Sequence, residues 1–139
     1  MAHYVDTSAL TKLVVAEAES TALRRWLTRH VDVAVSSDLT RTELLRAVRR
    51  AAPDRMVHAR TVLDTVTLLH ASTEVFEAAA LLDPPTLRTL DAVHLASALT
   101  LGDELDGLVA YDERLAEAAT ALGILVVAPA PDGGGGEGG

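Results

Sequence analysis

The sequence predicts a three-layer α/β/α domain built on a central parallel sheet of about five strands. Three observations predict it. Short apolar, strand-like stretches alternate along the chain with segments of helical periodicity, the order that produces crossover βαβ units. The later apolar stretches, Leu108-Val109-Ala110 and Ile124-Leu125-Val126-Val127, are continuous rather than alternating, which calls for helices over both faces of the sheet. A length of 139 residues with 49% apolar side chains suits one domain, able to bury about two-thirds of the surface its unfolded chain exposes.

Tyr4-Val5 leads the first strand. Ser8 to about Val15 then reads as a helix with Ser8 as its cap, followed by a helix over 20–30 with Leu23, Trp26 and Leu27 at core spacing. Val33-Ala34-Val35-Ser36 is the second strand, and a helix starts at Ser37 or Thr40 and stops at Pro53. Residues 54–64 are helical, and β-branched Val66-Thr67-Leu68-Leu69 makes a third strand. Thr73 caps a helix that Pro84-Pro85 breaks. Leu90–Leu101 is helical up to Gly102, Gly107–Tyr111 is the fourth strand, Glu113–Leu122 is helical up to Gly123, and Ile124–Val127 is the fifth strand. The domain is therefore expected over 1–127, with 128–139 a flexible tail rich in Gly and Pro.

There is no cysteine, which excludes disulfide frameworks and thiolate metal sites and fits a reducing, cytoplasmic compartment. An acid at position 6 argues against a signal peptide, and no apolar run approaches the roughly 20 residues needed to span a bilayer, so no membrane partner is expected. Net charge is −8 but unevenly spread: residues 1–60 carry +3 and residues 61–139 carry −11. The positive charge gathers in 41–60, where Arg41, Arg46, Arg49, Arg50, Arg55 and Arg60 form either a solvated helical surface or a strip for phosphates. With only Tyr4, Trp26, Phe76 and Tyr111 aromatic, a base-stacking platform is excluded. Any nucleic acid would have to be handled through its backbone and a catalytic site.

Four acids stand at comparable places. Asp6 follows strand 1 and Asp112 follows strand 4, which puts both on the carboxyl edge of a parallel sheet. Glu43 lies one turn into the helix after strand 2, and Asp91 opens the helix that leads into strand 4. Each has a structural reading: Thr40-x-x-Glu43 matches a capping box, and Asp6, Asp91 and Asp112 could each cap a helix. If the four converge instead, each pair about 5 Å apart repels by about 3 kcal/mol at an effective dielectric near 20. Such a group stays ionised only around a cation, and all-oxygen ligation suits Mg²⁺ or Mn²⁺.

The blocks that carry these acids resemble the PIN-domain ribonucleases, and most nearly the VapC-type toxins. The blocks are Val5-Asp6-Thr7-Ser8-Ala9-Leu10-x-Lys12, Thr42-Glu43-Leu44, Leu87-Arg88-Thr89-Leu90-Asp91-Ala92-x-His94-Leu95-Ala96, and Tyr111-Asp112-x-x-Leu115. The resemblance implies a metal-dependent endoribonuclease, the toxin of a toxin–antitoxin pair, hydrolysing RNA with a metal-activated water. Asp6, Glu43, Asp91 and Asp112 would be catalytic and hold Mg²⁺, with Mn²⁺ the other candidate. Ser8 would support a carboxylate. Lys12 and Arg88 match positions the family often fills with these types, and Arg46, Arg49 and Arg88 are the candidate substrate contacts. His94, one turn after Asp91, reads as a hydrogen-bonded packing residue rather than a general base. The resemblance also implies a homodimer and a VapB-like antitoxin. The competing reading is a catalytically silent PIN-like module that binds a protein partner. A P-loop nucleotide site is excluded, since no Gly-x-x-x-x-Gly-Lys-Ser/Thr occurs.

Overall fold

In the computed structural model, residues 1–132 are described; Gly133-Gly134-Gly135-Gly136 of the expected tail lie outside the described residues. Five strands form one sheet: β1 (Ala2–Val5), β2 (Val33–Ser37), β3 (Thr67–Leu69), β4 (Leu105–Val109) and β5 (Val126–Val127). Their order is β3-β2-β1-β4-β5, and every pairing is parallel. The strand order reverses direction at β1, so the crevice beside its carboxyl end lies between the two halves of the sheet. Asp6 is the first residue of that crevice, and its amide donates to the Val109 carbonyl at 2.9 Å, tying the end of β1 to the end of β4.

Seven α-helices connect and cover the strands among the described residues: α1 (Thr7–Val14), α2 (Ser20–His30), α3 (Leu39–Ala51), α4 (Met56–Asp64), α5 (Thr73–Ala80), α6 (Thr89–Leu99) and α7 (Glu113–Ala121). The period-two geometry of the strands divides the core. Tyr4 and Leu108 point to one face and pack with Leu95 of α6 and Leu115 of α7; Val5 and Val109 point to the other and pack with Leu10, Leu23, Leu44, Val48 and Leu63 of α1 to α4. A third cluster joins α5 to α6 through Val75, Ala79, Ala92, Val93 and Ala96. Seven consecutive residues of α6, Ala92–Ala98, are buried, so this helix is a central strut rather than a surface helix. At Gly107 an added Cβ would stand 3.1 Å from the Leu125 carbonyl, so a larger residue there would push β5 off β4. Among the described residues no helix is long and apolar enough to cross a membrane.

The caps differ from those the sequence suggests. Helix α1 is capped by Asp6, whose side chain accepts from the Ser8 amide, and not by Ser8. The expected Thr40–Glu43 capping box does not form, because Thr40 is buried and its hydroxyl bonds Ser36 at 2.7 Å. Ser72 rather than Thr73 caps α5. Asp112 does cap α7, whereas Asp91 lies within the first turn of α6, whose cap position is Arg88. Past β5, Pro129 is buried and its carbonyl accepts from the Tyr111 hydroxyl at 2.6 Å, so the chain stays attached just beyond position 127.

Candidate active site

The four acids come from four elements that end or begin at the carboxyl edge of the sheet. Asp6 is the residue between β1 and α1, Asp112 the one before α7, Glu43 is in the second turn of α3 and Asp91 in the first turn of α6. Asp6 is buried, 5% exposed, and anchored at both ends. Its Oδ2 accepts from the Ser8 hydroxyl at 2.7 Å and from the Ser8 amide at 3.1 Å. The same Ser8 hydroxyl accepts from the Tyr111 amide at 2.9 Å, so Ser8 links the residue after β1 to the segment after β4. This leaves Asp6 Oδ1 facing His94, 3.9 Å from Nε2.

Glu43 is held by a chain of side chains reaching into the core. Its Oε1 accepts from the Thr7 hydroxyl at 2.9 Å and bonds His94 Nε2 at 2.5 Å. His94 is 2% exposed, and its Nδ1 meets the buried Tyr4 hydroxyl at 2.7 Å. In the neutral ring Nε2–H donates to Glu43 while Nδ1 accepts from Tyr4; in the imidazolium both nitrogens donate. Burial acts to lower the His94 pKa, but the hydrogen bond to Glu43 and the charges of Asp6, Glu43 and Asp91 raise it above the ordinary value. For Glu43, burial works upward, and the His94 bond and charge with the Thr7 hydroxyl bring its carboxyl below the usual range. Glu43 Oε2 has no protein partner among the described residues.

Asp91 is pushed the other way. Partial burial raises its pKa, and the negative charges of Asp112 and Asp6 raise it further, only partly opposed by His94 and Arg88. Asp91 is thus within electrostatic reach of both other aspartates. The Asp112 Oδ1 accepts the Leu115 amide at 3.0 Å and caps α7 while its side chain stays at the rim. Among the described residues no group of three or more acids and histidines is close enough, as placed, to enclose an ion. The donor set is nonetheless all-oxygen, negative and short of compensating charge, the chemistry that a hard divalent cation satisfies.

The remaining expected residues fall elsewhere. Arg46 and Arg49, with Arg50, line a depression of about 260 Å³ on the exposed side of α3, and none of the four acids lines it. Lys12 is occupied by Glu17 and Glu19 and lies 4.8 Å from the centre of the Tyr111 ring. Arg88 lines a larger cavity that Asp91 shares. Sequence reasoning missed Tyr4 and Thr7. The available signals were a strand tyrosine whose hydroxyl would need a partner once buried, and a hydroxyl residue directly after Asp6.

A model of the PIN domain family matches residues 3–121. Ribonuclease VapC46 of Mycobacterium tuberculosis is 46% identical over 127 residues, covering 91% of this chain and 96% of the relative. Among solved structures, M. tuberculosis VapC20, described as a sarcin-ricin loop cleaving toxin, matches with a TM-score of 0.73 at 20% identity over 92% of this chain and 100% of that one. A toxin–antitoxin complex from Klebsiella pneumoniae matches with a TM-score of 0.64 at 21% identity over 81% of this chain and 87% of that one. At such identities the two structures speak to the fold, while the 46% identical relative speaks to the family.

Proposed function

The chain belongs to the PIN-domain family, and within it to the VapC ribonucleases; from that premise we propose that it is a metal-dependent endoribonuclease acting as the toxin of a toxin–antitoxin pair. What supports the reading is the position of Asp6, Glu43, Asp91 and Asp112 at one edge of the parallel sheet, with the Asp6 and Glu43 carboxylates both turned to His94 and held by Ser8 and Thr7. Carboxylates crowded without a cation are costly to keep ionised, and one bound Mg²⁺ or Mn²⁺ relieves that cost.

Asp6, Asp91 and Asp112 would hold the cation, with Glu43 completing the shell. The chemistry such a cation supplies when bound is activation of an attacking water and neutralisation of charge on the scissile phosphate. The chain's own groups do the rest. Ser8 fixes the Asp6 rotamer through Oδ2 and leaves Oδ1 for the site. His94 and Thr7 fix Glu43 through Oε1 and leave Oε2 to orient a water by hydrogen bonding. The buried Tyr4 hydroxyl holds the His94 ring in place. The substrate class is RNA, and the protein partner is a VapB-like antitoxin whose segment lies over the acids. A homodimer accords with exposed Phe76 and Leu81 on and beside α5 and Leu90 and Leu99 on α6, and sedimentation of the purified chain tests it.

The test is cleavage of total RNA with added Mg²⁺ or Mn²⁺ against EDTA, for the natural chain and for Asp6→Asn and Asp91→Asn. Cuts that need metal and vanish in both variants are expected. Metal-independent cutting, or cutting that survives both changes, would overturn the four-acid site. A folded, partner-free chain that neither binds metal nor cuts would return the acids to helix capping and make the protein an interaction module.

A further inference from the structure

Between residues 61 and 139 the chain carries thirteen acids and only two basic side chains of the Lys/Arg type, Arg88 and Arg114. Both line one cavity of about 400 Å³, between the segment after α5 and one side of α7. Neither guanidinium is in an ion pair among the described residues. Asp91 lies on the wall of the same cavity, so whatever fills it abuts the acid cluster. The rest of its wall is mostly apolar, from Pro84, Leu87, Ala118 and Ala121, with Thr86 as a polar neighbour and Glu117 as the one further acid.

From this, and resting on the ribonuclease reading above, we infer that the cavity is the subsite for one unpaired nucleotide flanking the scissile phosphate of RNA. Two guanidinium groups outside any ion pair among the described residues present forked donors that fit phosphate oxygens. The apolar wall suits the flat face of a base, and a base is free to enter only from a single strand or loop. The volume lies within the range of small-ligand clefts. Glu117 can accept from an exocyclic amino group, as carboxylates do from cytosine N4, and so disfavours uracil. A cationic peptide is a poor occupant, because Arg88 and Arg114 repel it.

The test measures binding of a short fluorescent single-stranded RNA in EDTA across a salt series, and cleavage with Mg²⁺ or Mn²⁺. Arg88→Ala and Arg114→Ala are expected each to weaken binding about three- to tenfold and to lower the salt slope by about 0.7, the value for one phosphate contact on a single strand. Arg114→Lys should recover most of the slope. Ala121→Phe fills the cavity while leaving both charges in place, and is expected to raise KM with kcat held. Glu117→Ala should narrow the preference for amino-bearing bases over uracil. Arg88, Arg114, Glu117 and Ala121 are all exposed, and thermal melts of each variant check that the fold is kept. If the natural chain binds and cuts RNA while Arg114→Ala and Ala121→Phe keep its KM and salt slope, the subsite is wrong and the ribonuclease reading stands. If the natural chain neither binds nor cuts RNA, the reading itself falls and the subsite falls with it.

Discussion

Asp6 and Glu43 sit among fixed hydrogen-bond donors, whereas Asp91 has none among the described residues and Asp112 has one, the Leu115 amide. The two pairs share a sheet edge and a charge, yet they are supported differently. The inner pair is positioned by the protein itself, through Ser8, Thr7 and the Tyr4–His94 chain. In the outer pair, burial and the charges of Asp112 and Asp6 push the Asp91 carboxyl above its ordinary range, with His94 and Arg88 opposing them only in part. On the proposed reading, one half of the site is set before any ligand arrives and the other half would gain its compensation from a cation.

The largest expected effect tests whether both halves are needed. Asp6→Asn and Asp91→Asn should each lower cleavage by about 10²–10³-fold or more, on the scale of removing a charged group that acts on the transition state. Initial rates on a defined RNA check this. If only the inner variant loses activity, the outer pair is structural and the inner pair alone serves the reaction.

The next effect isolates how the inner pair is held. Tyr4→Phe removes one hydroxyl and keeps the ring in the core, and His94→Gln keeps a donor without the imidazole. Both should lower kcat by roughly 10–100-fold with smaller changes in KM, as loss of an outer hydrogen-bond partner does in metal sites. Tyr4→Phe should also lower stability by about 1 kcal/mol, read by denaturant unfolding, since it leaves His94 Nδ1 buried with one partner fewer. Unchanged kcat in both would mean that Glu43 orients itself without help from the core.

The inner pair also shows what the sequence could and could not convey. Alternating strands and helices and the continuous apolar runs were enough for the parallel sheet, because a strand buried on both faces must be apolar throughout. Asp6 and Asp112 were legible as edge residues for the same topological reason. The Tyr4–His94–Glu43 chain was not, because its members are separated by 90 and 51 positions and meet only once α6 crosses under the sheet. Caps were misread where one hydroxyl had two possible partners. Thr40 looks like a box residue, but burial gives it Ser36 instead. Arg114 was overlooked for a related reason: an exposed arginine on a helix is ordinary until the fold sets it across a cavity from Arg88.

The smallest expected effect concerns stability and reverses between the pairs. Asp91 has a folded-state pKa above its ordinary value, from burial first and then the charges of Asp112 and Asp6. The folded chain therefore binds more protons than the unfolded chain between those two values, and stability falls as pH rises through that window. Above the folded value the cost is fully present; below the ordinary value it is absent. In EDTA at neutral pH, Asp91→Asn should accordingly melt higher than the natural chain, and the gain should disappear on acidification below the ordinary carboxylate range. Asp6→Asn should melt lower at neutral pH, since Asn still caps α1 but loses the charge that Ser8 donates to. Added Mg²⁺ should raise the melting temperature of the natural chain and do so less for Asp91→Asn, because a cation stabilises only the state that binds it. Thermal melts of the three proteins at two pH values, with and without Mg²⁺, separate these signs. An Asp91→Asn variant that melts lower in EDTA would show that the outer carboxylate already has its compensation within the chain, and the contrast between the pairs would dissolve.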